Sequence, residues 1–400
     1  MKADFDLLIV GAGMVGSSLA LALQNSGLRI ALVEAQDLLE HHQPGFDDRG
    51  IALSYGSQRI FETMQLWSQL EDKATPIHGI HISDRGHFGV TRLTAQKEKV
   101  PALGQVMTAK HLGIQLNQAL QQHPTLSILT PLQVDTLEQN ATSVTVTLSD
   151  GQQLTTRLLV GADGQFSTIR DLLGLTCWQR EYQQTAITAN VIPERAHQNW
   201  AYERFTEHGP LALLPMSEGR CSLVWTVKTG EEHALLASNE QQFTERLQKA
   251  FGYRLGHFEK IGQRSSYPLG LMQTNQPVQN RVVLIGNAAH SLHPIAGQGF
   301  NLGLRDAAVL AELIATHPED CGHASLLNDY ADWQQQDQDK VVNATDFLVN
   351  TFSNKHFLLG HGRSLSLALL NGLPRIKNQL AKTSMGLSGK QSRLSRGLPL

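Results

Sequence analysis

The run from Asp4 to Glu34 leaves few folds open, because it reads as strand, glycine turn, helix and second strand without a break. Phe5 to Val10 is a short, mostly apolar strand that delivers the chain into Gly11-Ala12-Gly13-Met14-Val15-Gly16, a GxGxxG pattern. Gly11 permits a tight turn, Gly13 lets the backbone approach a pyrophosphate, and Gly16 lets the following helix lie close to the strand. The helix expected over Val15 to Asn25 points its free N–H groups and positive dipole end at an anion. Gly27 stops it, Leu28 to Val33 form the second strand, and Glu34 arrives at that strand's tip, roughly 20 residues on. A carboxylate there can accept both hydroxyls of an unphosphorylated ribose, which favours FAD or NAD over NADPH.

Four hundred residues exceed one small core and imply two domains, or one nucleotide domain with a large insertion. Three widely separated cysteines, Cys177, Cys221 and Cys321, with no CxxC, indicate neither a disulfide framework nor a metal site. A reducing cytoplasm is the expected location. Met1 to Asp4 runs straight into the first strand, so no signal peptide is expected, and no apolar stretch of about 18 residues is present to span a bilayer. A net charge of −3 argues against nucleic acid as a main partner. The charge is unevenly spread, however: Phe347 to Leu400 holds eight of the 33 Lys and Arg residues and no Asp or Glu. Such a tail either docks on an anionic membrane or an acidic partner, or neutralises the chain's own acidic body.

After Glu34 a polar stretch ends at Pro44-Gly45-Phe46-Asp47-Asp48-Arg49-Gly50, placed as a loop over the nucleotide. Arg49 either lies beside the pyrophosphate or pairs with Asp47 or Asp48. Two strands are expected within 77–93 around Asp84-Arg85-Gly86-His87, and Gly104-Gln105-Val106-Met107 leads into a helix over Ala109 to Gln121. Strands near Ser127 to Leu137, Ser143 to Leu148 and Leu154 to Val160 follow. The last of these ends in Gly161-Ala162-Asp163-Gly164, with Ser167 and Arg170 one helical turn apart behind it. Residues 182–267 are β-rich, with segments at Ala186 to Ile192, Trp200 to Phe205, Leu211 to Leu214 and Arg220 to Val227, interrupted by a helix over Glu240 to Phe251. They read equally as a pocket wall or as an ordinary insertion. Arg281 to Ile285 is a third nucleotide-domain strand, running into Gly286-Asn287 and on to Pro294, Gly297-Gln298-Gly299 and Asn301. Its glycine-rich helix start leaves N–H groups facing outward that could stabilise charge on a reduced flavin ring. Helices over Ser325 to Phe352 and Leu358 to Leu373 close the chain, with the last fifteen residues expected to fray.

The three motifs in this order, GxGxxG, GADGxxSxxR and GNAAHxxxPxxGQGxNxGxxD, resemble the single-component FAD-dependent aromatic hydroxylases across almost the whole chain. The stretches PGFDDRGIAL, SDRGH, ALGQV, ERFTEHGPLALLPMSEGRCSLVW and HPIAGQGFNLGLRD are most similar to the ubiquinone-pathway hydroxylases acting on 2-polyprenyl-6-methoxyphenol. The resemblance implies an α/β fold: a Rossmann-like FAD-binding domain, residues 1–180 and 268–345, with an inserted β-rich substrate domain at 181–267 and a C-terminal helical segment and basic tail at 346–400. Residues 77–100 could instead join the substrate sheet. Glu34 would hold the adenosine ribose, Arg49 and Gln105 would lie along FAD, Asp163 would sit near the pyrophosphate, and Pro294 to Asn301 would face the flavin ring. Asn287 stands where the family usually has Asp, and an amide can still bond the ribityl chain. NAD(P)H would be the transient reductant, O2 the oxidant through a flavin hydroperoxide, and a polyprenylated phenol the substrate. A biosynthetic protein assembly would be a further partner.

Leu213, Pro215 and Trp225 are candidates for the pocket wall, with His290 and His293 as polar contacts. No catalytic base stands out by spacing. The alternatives are hydroxylation at another ring carbon, an FAD-dependent isoprenoid reductase or epoxidase, and a non-catalytic flavin-binding subunit.

Overall fold

A computed structural model describes residues 3–37, 49–86, 89–292, 297–352 and 374–400, the side chains of 341–352 and 374–376 excepted. The helix expected over Leu358 to Leu373 and the positions of His293 and Pro294 lie outside the described residues.

Phe5–Val10 is the middle of an eight-stranded sheet because all but its first residue are buried, as parallel strands covered on both faces require. It pairs in parallel with Ile30–Val33 on one side and Gln153–Gly161 on the other. Leu126–Leu129 extends the sheet beyond the former and Val282–Leu284 beyond the latter, both in parallel. Val144–Leu148 and Val134–Gln139 add an antiparallel flap. One face packs on Leu19, Leu112, Leu304 and Leu310, the other on Val144, Val146 and Ile169. The pairing register sets Val10, Val33, Gly161 and Leu284 side by side. The residues that follow these four therefore emerge together at the carboxyl end of the sheet, where open α/β sheets bind ligands.

A second sheet has nine strands. Its longest, Cys177–Pro193, begins nine residues before the expected Ala186, because Gln179 to Gln184 is too polar to read as strand; a register shift between Glu181 and Gln184 interrupts it. It pairs with Ser265–Thr274 and with Cys221–Lys228, which is followed by Gly209–Pro215 and Trp200–Thr206. Gly79–Asp84 then pairs in parallel with Trp200–Thr206, and Val90–Thr94 completes the edge, so two early strands belong to this sheet. Glu240–Phe251 covers one face. Its N-terminus is fixed by a reciprocal capping box between Asn239 and Gln242, and Phe243, Leu247 and Phe251, spaced by four, bury one stripe against the sheet. A short helix, Glu231–Leu236, precedes it and was not expected.

The chain end does not fray as expected. Pro374–Ser384 is helical, Ala381, Met385 and Leu394 are buried, and Leu394–Arg396 forms a 3-10 turn. The Gly56 N–H donates to the Met385 carbonyl at 2.8 Å, and the Thr63 hydroxyl donates to the Leu394 carbonyl at 3.0 Å.

Candidate active site

Gly11 has φ +101°, and a Cβ there would lie 2.5 Å from the Ala162 carbonyl oxygen. A Cβ on Gly16 would lie 2.0 Å from the Gly11 carbonyl oxygen. These two glycines are needed by the fold itself. Gly13 differs: its φ is an ordinary −66°, and an added Cβ would meet no protein atom within 4 Å. That open direction lies at the start of Met14–Ala22, a helix with no side-chain cap and no acid in its first turn. The Ser17 and Ser18 hydroxyls donate to the carbonyls of Ala12 and Met14. The positive helix end is thus left to an external anion.

Glu34 stands beside this turn, accepting the Ala12 N–H at 2.7 Å on one oxygen and the Gln36 N–H at 3.1 Å on the other. Each oxygen retains a lone pair, and the side chain remains half-buried. A Cβ on Gly11 would also fall 2.9 Å from the Asp163 Cα, and the Asp163 carboxylate bonds the start of the helix Thr168–Leu172. It accepts the Ser167 hydroxyl at 2.6 Å and the Ile169 N–H at 3.1 Å, and burial raises its pKa. Arg170 bonds the carbonyls of Ala288 and Gln165, tying this loop to the Gly286 turn. The GADGxxSxxR residues therefore brace one strand end against another.

The late motif works in the same manner. Gly286, at φ +59°, donates its N–H to Asp306 at 2.8 Å, and a Cβ there would meet Val15 at 3.2 Å. Gly303 admits Val15 just as closely, so Val15 is a packing residue between two helices and a turn. Asp306 is wholly buried; it also holds His290 Nε2 at 2.6 Å and accepts from Gln334. His290 is consequently a structural partner of Asp306. Asn287 is exposed between the buried Gly286 and Ala288.

Helix Gln298–Thr316 starts from Gly297 at φ +61°, again without a side-chain cap or a first-turn acid. A Cβ on Gly299 would meet nothing within 4 Å. Asn301 accepts from the Ser54 N–H and the Ser57 hydroxyl and donates to the Ala52 and Gly297 carbonyls, all within 2.7–2.8 Å. Its amide is fully used in clamping strand Gly50–Ser54 to this helix, and sequence spacing gave no sign of that role. Gln105, on Gly104–Thr108 beside that strand, is buried and bonded to Gln58 at 3.1 Å. Arg49 is exposed at the strand's entry, where its carbonyl accepts the Ala109 N–H; Asp47 and Asp48 lie outside the described residues.

Two uncapped helix starts, an acid with spare lone pairs and three converging strand ends suit an extended, anionic dinucleotide. Residues 4–345 match the family model described as FAD binding domain. The chain belongs to this family of FAD-dependent monooxygenases. Over 99% of its length it is 36% identical to ubiquinone hydroxylase UbiL of Rhodospirillum rubrum, covering 93% of that protein. Over 96% of its length it is 28% identical to 3-demethoxyubiquinol 3-hydroxylase of Escherichia coli, covering 98% of it. The crystal structure of p-nitrophenol 4-monooxygenase PnpA from Pseudomonas putida superposes with a TM-score of 0.80 over 98% of this chain and all of that one, at 16% identity, a likeness of fold.

As in other enzymes of this family, the flavin carries the redox chemistry, leaving the protein to position the substrate. Here one expectation needs correcting. Leu213 and Trp225 sit on the helix-covered face of the nine-stranded sheet, packed with Phe243, and Pro215 shares their side by the two-residue period. The opposite face carries Ala212, Leu214 and Val224, all half-buried, and Ser222, whose hydroxyl accepts the Gly50 N–H at 3.2 Å. It is this face that looks toward Gly50–Ser54 and Gly104–Thr108. Among the described residues no group of His, Cys, Asp or Glu could hold a metal, and no helix is long and apolar enough to cross a membrane.

Proposed function

We propose that this monooxygenase hydroxylates a polyprenylated phenol in ubiquinone biosynthesis, using NAD(P)H and O2. The observation that carries the reading is near full-length similarity to ubiquinone hydroxylases, supported by the apolar, half-buried face formed by Ala212, Leu214 and Val224. On this reading the eight-stranded unit holds FAD and the nine-stranded sheet walls the substrate. Gly13 and the first turn behind it receive the pyrophosphate, Glu34 the adenosine ribose, and the Asn287 amide the ribityl chain. Gln105, Arg49 and the Gly297 to Gly299 helix start lie along the flavin. When bound, FAD accepts electrons from NAD(P)H and activates O2. The chain's own residues hold the phenol ring against it and exclude water, which prevents unproductive release of reduced oxygen. The basic segment from Phe347 onward brings the enzyme to the membrane in which such a substrate resides.

Purified protein should be yellow, and its NAD(P)H oxidation should be stimulated by a prenylated methoxyphenol with one hydroxyl gained per NAD(P)H. Tight FAD binding without phenol-stimulated turnover would leave a flavin-binding subunit instead. Mass spectrometry of the intermediate accumulating when the gene is deleted fixes the ring carbon, separating this reading from hydroxylation at another position.

A further inference from the structure

On the face of the nine-stranded sheet that turns away from helix Glu240–Phe251, Glu203 stands among apolar side chains. Its strand neighbours on that face are Ala201 and Phe205, and the pairing register sets Ile82 on one side and Ala212 on the other. Beyond Ala212 comes Val224, two residues from the Ser222 that bonds Gly50. Glu203 thus shares a surface with the residues that look toward the flavin-side strands. One carboxylate oxygen, Oε1, is shut off from solvent and has no hydrogen-bond partner, although the residue as a whole keeps a partly open face. A group deep in the protein that still meets solvent on one side is a group lining a cleft. Burial pushes its pKa up to about 7, with no cation or donor offsetting the cost.

The charged groups nearby do not account for it structurally. His81, Arg92 and Arg204 lie on the opposite face of the sheet by register, toward Phe251. Among the described residues of the two neighbouring strands, the other ionisable side chain on the face of Glu203 is Asp84, opposite Phe205. Arg49 stands at the entry of the facing strand. An unpaired carboxyl is costly to keep in such a place unless a ligand completes it.

We propose that Glu203 contacts the substrate phenol and takes its proton. This rests on the functional reading above. The phenol O–H bond breaks, the proton bonds to the Glu203 carboxylate, and the electron pair stays on the phenol oxygen, where it enriches the ring carbons ortho and para to it. No electrons leave either group, and the proton returns to water after product departs. The aromatic carbon to be oxygenated then meets its oxidant as part of a phenolate, a far better nucleophile than the neutral phenol.

The test uses the FAD-loaded full chain and a short-chain 2-prenyl-6-methoxyphenol. Glu203→Gln keeps the shape and removes the ionisation. It should bind FAD and phenol as the wild type does, with KM changed by no more than about threefold, while kcat falls by about 100-fold, the order expected for losing a general base. The wild-type kcat/KM should rise with pH through about 7, and this ascending limb should vanish in Glu203→Gln and return in part in Glu203→Asp. An unchanged kcat with the limb intact overturns the assignment while leaving the functional reading standing. If no phenol stimulates the wild type, the functional reading fails and the assignment goes with it. Should Glu203→Gln lose its flavin, Glu203→Asp decides: a lowered kcat with a displaced ascending limb upholds the assignment, and a kcat and pH profile identical to the wild type's overturn it.

Discussion

At the scale of single residues, the glycine motif separates into positions that serve the fold and one, Gly13, where an added Cβ would meet no protein atom. Gly16→Ala drives a Cβ to 2.0 Å from the Gly11 carbonyl oxygen, so the protein itself should lose roughly 2–4 kcal/mol, read by denaturant unfolding. Gly13→Val meets no protein atom near its Cβ, so the apoprotein should melt where the wild type does but purify colourless. Glu34→Ala removes an acceptor of two backbone N–H groups and, on the proposed reading, of the ribose hydroxyls, and FAD affinity should fall by about 10- to 150-fold in a fluorescence titration. Glu203 gives a pH signature independent of turnover. Folding raises its carboxyl from 4.5 toward about 7, so the stability this proton carries is complete below 4.5 and is lost as pH rises through 7. Glu203→Gln, which cannot ionise, should match the wild type near pH 4 and exceed it by about 1–3 kcal/mol near pH 8. The turn glycines and Glu34 were legible because backbone demands leave a spaced trace in the sequence. Glu203 was not, since a carboxyl in a strand reads as an outward-facing polar residue until its neighbours are known.

At the scale of elements, buried hydrogen bonds hold the turns that a flavin would touch. Asp306 sits inside helix Gln298–Thr316 and reaches Gly286, His290 and Gln334. Asp306→Ala strands a buried N–H and a buried imidazole, which should cost about 3–5 kcal/mol and weaken FAD binding although the side chain lies under the site. Thermal melts of apo and FAD-bound protein, measured together, separate the two effects. Most helices and strands could be read from period and caps, as with Glu240–Phe251, whose bounds match the expectation. What periodicity withholds is which of two faces a neighbour will cover. Strand alternation placed Leu213 and Trp225 on one side and Ala212 and Val224 on the other with equal apolar character, and only the position of helix Glu240–Phe251 decides between them. Partner choice is similarly hidden: 79–84 reads as a strand, but nothing local points to residues 200–206 as its neighbour.

For the whole molecule, the end of the chain is a structural component. Met385 packs with Val106 and Ala201, Leu394 joins the core of the eight-stranded unit, and Lys390 Nζ stands 3.4 Å from the centre of the Trp333 ring. A chain stopped at residue 373 would lose three buried apolar side chains, Ala381, Met385 and Leu394. At roughly 2–4 kcal/mol for each of the two large ones, this approaches the total stability of a typical domain, so the shortened protein should aggregate or lose FAD in melting and absorbance assays. Membrane attraction is therefore better tested in the intact chain, with Lys355→Glu and Arg363→Glu together. If these residues meet an anionic surface at up to about 1 kcal/mol each, sedimentation with anionic liposomes should weaken by roughly tenfold or more, and unchanged sedimentation would leave the segment without that role. The parallel pairing of Gly79–Asp84 with Trp200–Thr206 also bears on how the protein is made. On the ribosome, residues 79–84 emerge long before the strand that covers them exists, and Phe5–Val10 likewise waits for Gln153–Gly161. Neither sheet can close until most of the chain has been translated, so nascent chains carry unpaired apolar strand edges throughout synthesis, and slow-growth, chaperone-rich expression should raise the soluble yield more than it would for a protein whose domains complete in sequence order.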